Sequence, residues 1–204
     1  MKKLKFLHIG CGPKRKEQTT SVFNSDDWEE VTFDIDAQCS PDILGSMTDL
    51  SMINDNTFDA VYSSHNIEHL FIHEAVIAVK EFFRVLKSSG FMMIVCPDLI
   101  STCKAIIDKG PLEPLYHLNN NNGYVSGVDI LYGWRPSIED GNHFMAHKCG
   151  FSEQSLIALF QQSGFKKIIS TARSSHFDIN LLAYKDDKIE NEDIKSLFLR
   201  HLKI

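Results

Sequence analysis

The first 97 residues repeat one pattern: a short apolar run closed by glycine, aspartate, serine or proline, then a longer stretch before the next run. The runs are Leu4–Ile9, Glu30–Ile35, Asp42–Met47, Phe58–Ser63 and Phe91–Cys96. Their length and their β-branched and aromatic content predict strands. Between Glu74 and Lys87 the period changes. Ala75, Val76, Val79, Phe82, Phe83 and Leu86 fall on one face of a 3.6-residue helix. In Lys87-Ser-Ser-Gly90, the glycine is expected to stop that helix. Strands that alternate with crossover segments pair in parallel, and a parallel sheet must be covered on both faces. A doubly wound α/β sheet is the expected result.

The second half adds to that frame. Ile100–Asp108 reads as a helix, and Ser152 caps another that buries Leu156, Ile157, Leu159 and Phe160 before Gly164. Phe165–Ala172 and Phe177–Tyr184 are strands joined by a short Arg-Ser-Ser turn, so they are expected to form an antiparallel β-hairpin at the sheet edge. Glu190–Leu202 reads as a last helix, acidic at its start and basic near Arg200 and Lys203, as the helix dipole favours. The full expectation is a Rossmann-like sheet of about seven strands, mostly parallel, in a single domain 1–204. The length of 204 residues leaves no room for a separate substrate domain. Residues 110–150 fit no period. They hold the Asn119–Asn122 tract, Tyr116, Tyr124, Tyr132, Trp134 and Arg135. An irregular insertion of this kind is expected to carry substrate recognition.

Composition excludes several classes. Lys+Arg is 21 and Asp+Glu is 27, a formal charge of −6, which argues against a nucleic-acid partner. No apolar run reaches the ~18–20 residues of a membrane span. Leu4–Ile9 is too short for a signal core and carries Lys5 and His8, so a cytoplasmic location is expected. The 5 cysteines are scattered with no C-x-x-C pair, so neither a disulfide framework nor a structural zinc site is indicated.

In an open α/β sheet, ligands bind at the carboxyl ends of the strands. The first strand ends in His8-Ile9-Gly10-Cys11-Gly12, where glycines let the backbone approach a ligand closely. A dinucleotide fingerprint would place a third glycine where Arg15 stands. Asp34 ends the second strand, 22 residues beyond Gly12, a spacing suited to holding ribose hydroxyls; a plain turn aspartate is the alternative. Asp49 and Leu50 follow the third strand, where an acid meets an adenine amino group or caps a helix. Ser64 and His65 follow the fourth strand, and Asp98 the fifth. Lys14-Arg15-Lys16 is a solvated loop or a phosphate contact.

The ordered set Leu7-His-Ile-Gly-Cys-Gly-Pro13, Phe33-Asp-Ile-Asp36, Met47-Thr-Asp-Leu50, Phe58-Asp-Ala-Val-Tyr-Ser-Ser-His-Asn-Ile-Glu-His-Leu70, Phe83-Arg-Val-Leu-Lys-Ser-Ser-Gly90 and Cys96-Pro-Asp-Leu99 resembles the class I S-adenosylmethionine-dependent methyltransferases, in particular the small bacterial type 11 group. The resemblance implies S-adenosyl-L-methionine as cofactor. Gly10, Cys11 and Gly12 would line its methionine part, and Asp34 with Ile35 its ribose side. Asp49 and Leu50 would meet its adenine, and Ser64 and His65 would flank its sulfonium. His8 stands where an acidic residue is usual. The reaction implied is in-line transfer of the methyl group to a small-molecule or glycan-precursor acceptor. That is a positioning task, with a base needed only if the acceptor must lose a proton. His65, Asp98, His143 and His147 are the candidate catalytic residues, His65 foremost.

Four other readings compete. His65-x-x-Glu68-His69 matches the H-x-x-E-H pattern of a zinc peptidase helix, but similar runs are frequent in the methyltransferase group without metal, so no metal is expected. RNA 3′-end methyltransferases hold a divalent metal with a Glu/His cluster and a distant histidine; His143 or His147 would take that place, and the acidic charge disfavours RNA. A nicotinamide-dependent reductase shares the glycine turn and the aspartate. A non-catalytic cofactor-binding module would keep the fold without transfer.

Overall fold

The structure, a computed structural model, describes residues 3–118 and 123–202; the Asn119–Asn122 tract and Lys203 lie outside the described residues. β1 (Leu4–Ile9), β2 (Trp28–Asp34), β3 (Ile43–Leu44), β4 (Phe58–Ser64), β5 (Leu86–Pro97), β8 (Lys167–Arg173) and β9 (Asp178–Tyr184) form one sheet in the order β3-β2-β1-β4-β5-β9-β8. The first five strands run parallel, and β9 is antiparallel to both β5 and β8. The expected mixed sheet of seven strands with a closing hairpin is therefore present. The third strand is shorter than expected, at two residues.

Alternation along the strands divides the core into two layers. Leu7 and Ile9 of β1, Met92, Ile94 and Cys96 of β5, and Ile179, Leu181 and Ala183 of β9 face one layer. α1 (Ile72–Val85) and α5 (Glu153–Gln162) cover it with Ala75, Ala78, Val79, Phe82, Leu156 and Phe160. Phe6, Ala60, Tyr62, Phe91, Met93 and Tyr184 face the other layer. Val22 and Phe23 from the β1–β2 connection cover it, with Ile194 and Phe198 of α6 (Asn191–His201). Phe23 stacks on Phe6 at 4.3 Å and meets Trp28 edge-on at 5.1 Å. Aromatic contacts of this kind contribute about 0.5–1.5 kcal/mol each beyond area burial. They let the connection cover this face with only a 3-10 turn at Lys16–Gln18 in place of a full crossover helix.

The end of α1 differs from expectation. It stops at Val85, because Leu86 is already extended at φ −72 and ψ 137 and starts β5. Phe58 pairs with Leu86 and Ala60 with Phe91, so Lys87–Gly90 bulge out of the ladder. Gly90 is a point of close approach, with no role as a helix stop. A Cβ there would lie 3.0 Å from the Lys87 carbonyl and 3.1 Å from that of Asp59.

α2 (Leu99–Lys109) follows β5, and the described residues of the stretch 110–150 then fold into short regular pieces. β6 (Pro114–His117) and β7 (Tyr124–Ser126) pair antiparallel. α3 (Gly127–Tyr132), α4 (Arg135–Glu139) and a 3-10 turn at His143–Met145 complete the segment. Asp129 is the reason it holds its shape. Its carboxylate accepts from the Ser126 amide at 2.8 Å, the Ser126 hydroxyl at 2.6 Å and Arg135 Nε at 2.6 Å. Arg135 is thus occupied inside the insertion. Tyr116, Tyr124, Tyr132 and Phe144 are exposed.

Candidate active site at the carboxyl edge of the sheet

Ile9 pairs with Phe33 on one side and Ser63 on the other, and Ser64 pairs with Val95. This register brings Gly10, Asp34 and Ser64 to one edge. The chain turns sharply there because Gly10 and Gly12 adopt left-handed φ of 63° and 53°, a conformation glycine reaches without a Cβ penalty. Gly12 donates its N–H to Asp34 Oδ2 at 2.7 Å, and Asp36 donates to Oδ1 at 2.9 Å. Gly12 and Asp34, each expected at the carboxyl edge, are thus in direct contact. No heavy atom lies within 4 Å of where a Gly12 Cβ would sit, so that face of the turn is open to a ligand. Beside Asp34, Ile35 is 49% exposed.

Gly10 is closed by a residue that sequence reasoning missed. Asn66 donates from Nδ2 to the carbonyls of Ile9 (3.1 Å) and Ser64 (3.0 Å) and to Ser63 Oγ (3.1 Å). A Cβ on Gly10 would fall 2.1 Å from its amide oxygen. The nearest signal was the glycine itself, since it says that something must approach closely but not what.

Several sequence expectations are corrected. Leu50 has no exposed surface and lies in the α1-side core, with its N–H donating to Glu81 Oε2 at 3.0 Å, so it offers no face to an adenine ring. Asp49 is exposed and accepts from the Ser51 amide at 3.0 Å; the Ser51 hydroxyl and then this amide hold its carboxyl below the usual range. His8 points into the opposite layer. It is buried, packs on Tyr62 at 5.1 Å, and its Nδ1 lies 2.6 Å from Glu30 Oε1. Glu30 in turn accepts from the Lys16 amide at 2.9 Å, so both of its oxygens are engaged by the scaffold. Asp98 is buried as the N-cap of α2, and its two oxygens accept from the amides of Ile100 and Ser101, both at 3.1 Å. That carboxylate serves the helix and is not a free base. A cavity of about 400 Å³ opens beside it.

In the basic run Lys14 is exposed, while Arg15 and Lys16 are engaged by the scaffold. Arg15 donates to the carbonyls of Gly12 (3.2 Å) and Cys39 (3.0 Å), tying the glycine turn to the loop after β2. Lys16 Nζ donates to the carbonyls of Ser25 and Trp28. Cys11 is buried, and burial followed by the nearby Asp34 charge pushes its thiol up to about 11. It is a small residue in a tight turn, not a nucleophile.

His65 stands at the mouth of the edge with left-handed φ of 57°, and its side chain is 53% exposed. Desolvation opposes its charged form, but the Glu68 carboxylate outweighs this and raises its pKa above the ordinary value. His147 reaches back from the insertion to the turn holding Glu68 and His69. His143 is exposed on its own short turn and joins no ligating cluster among the described residues.

The Methyltransferase domain family matches residues 7–94. No curated protein matches the sequence significantly. Among solved structures, a Thermotoga maritima SAM-dependent methyltransferase, a possible histamine N-methyltransferase, superposes with a TM-score of 0.54 at 14% identity, covering 91% of this chain and 84% of that one. An Archaeoglobus fulgidus SAM-dependent methyltransferase gives 0.54 at 15%, covering 98% and 78%. A Burkholderia thailandensis 1,6-didemethyltoxoflavin-N1-methyltransferase, solved with its substrate and S-adenosylhomocysteine, gives 0.56 at 14%, covering 91% and 72%. At these identities the structures share a fold, and the family match covers the part of it that carries the glycine turn, Asp34 and Asn66. Residues 7–94 match the Methyltransferase domain family, and they lie in a sheet that continues to Tyr184.

Proposed function

We propose that the protein transfers the methyl group of S-adenosylmethionine to a small-molecule acceptor, a glycan precursor among the candidates. The observation that carries this reading is the open left-handed turn at Gly12, hydrogen-bonded to Asp34 at the carboxyl edge of a methyltransferase sheet. The turn would accept the methionine part of the cofactor against bare backbone. Asp34 would receive the ribose hydroxyls on its remaining lone pairs, and the exposed Ile35 would pack beside the adenine, a place the buried Leu50 cannot take. When bound, the cofactor supplies a sulfonium methyl that leaves with the bond electrons returning to sulfur.

The chain's own task is then positioning. Ser64 and His65 flank the edge beside the glycine turn, and His65 would take a proton from an acceptor that carries one. The insertion, with exposed Tyr116, Tyr124, Tyr132 and Phe144, would form the acceptor side. Aromatic faces suit a sugar or a heteroaromatic ring, and the Burkholderia thailandensis neighbour acts on such a ring. The −6 charge favours a neutral or cationic acceptor over a nucleic acid.

Calorimetry tests the cofactor half. The native chain should bind S-adenosylmethionine and S-adenosylhomocysteine, and Asp34→Ala should weaken binding by about 10–100-fold, the loss of hydrogen bonds to a charged group. Absence of binding by the native chain, or tight NADH binding in its place, overturns the reading. Once an acceptor is found, His65→Ala should lower turnover without changing cofactor affinity.

A further inference from the structure

We propose that Glu68, His69 and His147 form a binding site for a single divalent transition-metal ion, with Zn2+ the best match to the donors. The inference does not rest on the methyltransferase reading.

The first observation is Glu68. Its side chain is 1% exposed, yet among the described residues neither carboxylate oxygen has a hydrogen-bond partner. A buried carboxylate left without donors is costly, and such a group calls for an unseen partner. His65 Nδ1, 3.5 Å from Oε1, is near enough for an ion pair when protonated but makes no hydrogen bond, and Oε2 has no donor among the described residues.

The second observation is how the two imidazoles are held. His147 Nδ1 lies 2.8 Å from the Ile130 carbonyl, and His69 Nδ1 lies 3.2 Å from the Ala146 carbonyl. A carbonyl only accepts, so each ring carries its proton on Nδ1 and keeps the Nε2 lone pair free. Metal-ligating histidines are oriented in this way, with the other ring nitrogen donating to a backbone carbonyl. The rings stand edge to face with centroids 4.8 Å apart.

The third observation is convergence. One ligand atom from each of Glu68, His69 and His147 lies within 4.8 Å of the others. An ion about 2.0–2.2 Å from each ligand draws them in from that spread. The two segments are already fastened, since Lys148 and Cys149 donate their amides to the Glu68 carbonyl at 2.8 and 3.2 Å. A cavity of about 150 Å³ adjoins Glu68 and His147 and leaves room for an exchangeable oxygen ligand. Two imidazoles and one carboxylate suit Zn2+ and its neighbours, while Mg2+ and Ca2+ prefer all-oxygen shells. Three protein ligands with one open position is the arrangement of zinc sites that exchange a ligand.

The test uses the full chain, stripped with a chelator and dialysed. Calorimetry with Zn2+, metal analysis and Co2+ absorption are then measured. One equivalent of Zn2+ is expected, with visible Co2+ bands of a low-coordinate nitrogen–oxygen site and a higher thermal midpoint. Glu68→Gln, His69→Ala and His147→Ala should each weaken Zn2+ binding by roughly 10–100-fold or more. His143→Ala, in the same insertion but outside the cluster, should leave it unchanged. If the native chain takes up no stoichiometric Zn2+ or Co2+, the proposal is overturned, whatever the variants do. Retention of full affinity in folded Glu68→Gln and His147→Ala overturns it equally. Calorimetry with S-adenosylmethionine on the same stripped sample reports the cofactor site separately, so failure of one reading is not mistaken for failure of the other.

Discussion

Gly10→Ala is the sharpest probe of how the carboxyl edge is built. Alanine at φ 63° costs about 1–2 kcal/mol, because a Cβ crowds the backbone in the left-handed region. The new Cβ would also fall 2.1 Å from Asn66 Oδ1. Asn66 must swing away and surrender its bonds to Ile9, Ser63 and Ser64. At about 0.5–1.5 kcal/mol for each of those bonds, and with the displaced amide partly rehydrated, the total is about 3–4 kcal/mol. For a chain of this size each kcal/mol shifts the thermal midpoint by about 2–4 °C, so a fall of about 6–16 °C is expected. Urea denaturation of the native chain, Gly10→Ala, Asn66→Ala and the double variant gives the decisive number. With Asn66 already truncated, Gly10→Ala should cost only the backbone strain, about 1–2 kcal/mol. Equal costs of Gly10→Ala in both backgrounds would refute the idea that Asn66 is what demands a glycine at position 10.

Two further outcomes follow from buried groups. His201 is 1% exposed and set against Phe23 and Phe91, with Nδ1 2.7 Å from Thr20 Oγ1. Desolvation lowers its pKa from 6.5 to about 3. The unfolded chain therefore binds the extra proton first, so stability is full above pH 6.5 and is lost as pH falls towards 3. Between pH 8 and pH 5 the loss is about 2 kcal/mol. Thermal melts should show it in the native chain and not in His201→Leu; parallel curves for the two would count against it. Asp129 lies at the centre of the insertion, where burial opposes its charge but Arg135 and Ser126 hold its carboxyl down at about 2. Asp129→Ala should cost about 2 kcal/mol locally, since Arg135 is half-exposed and screened. That raises the open population of the insertion about 30-fold. Limited proteolysis should cut there faster while the main sheet melts almost unchanged; an unchanged cleavage rate speaks against the network.

Much of the frame was legible in the sequence because it is set locally. Apolar runs of strand length, a 3.6-residue period over the first main helix, a serine cap before Glu153 and paired glycines after Ile9 each act over a few residues, and each stands close to its expected place. That Gly12 and Asp34 share one edge was also legible, since a parallel register brings consecutive strand ends together; their direct hydrogen bond was not. Leu50 and Asp98 were misjudged for one shared reason. Both have residue types suited to a ligand, but their neighbours come from elsewhere in the fold: Glu81 and the α1-side core for Leu50, the first turn of α2 for Asp98.

The sequence by itself determined the class of sheet, its parallel half and closing hairpin, and the glycine–aspartate edge where a nucleoside-bearing cofactor would lie. Only the tertiary structure decided which polar groups are spent on the scaffold and which are left over. His8 goes to Glu30, Arg15 to the Cys39 carbonyl, and Asn66 to the turn at Gly10. Glu68 is left without a hydrogen-bond partner among the described residues, and His147 is brought to it across the insertion. The physical reason is that hydrogen-bond satisfaction is settled by contacts distant in sequence. A residue type shows what it can offer, and only the folded neighbours show whether the offer is already taken.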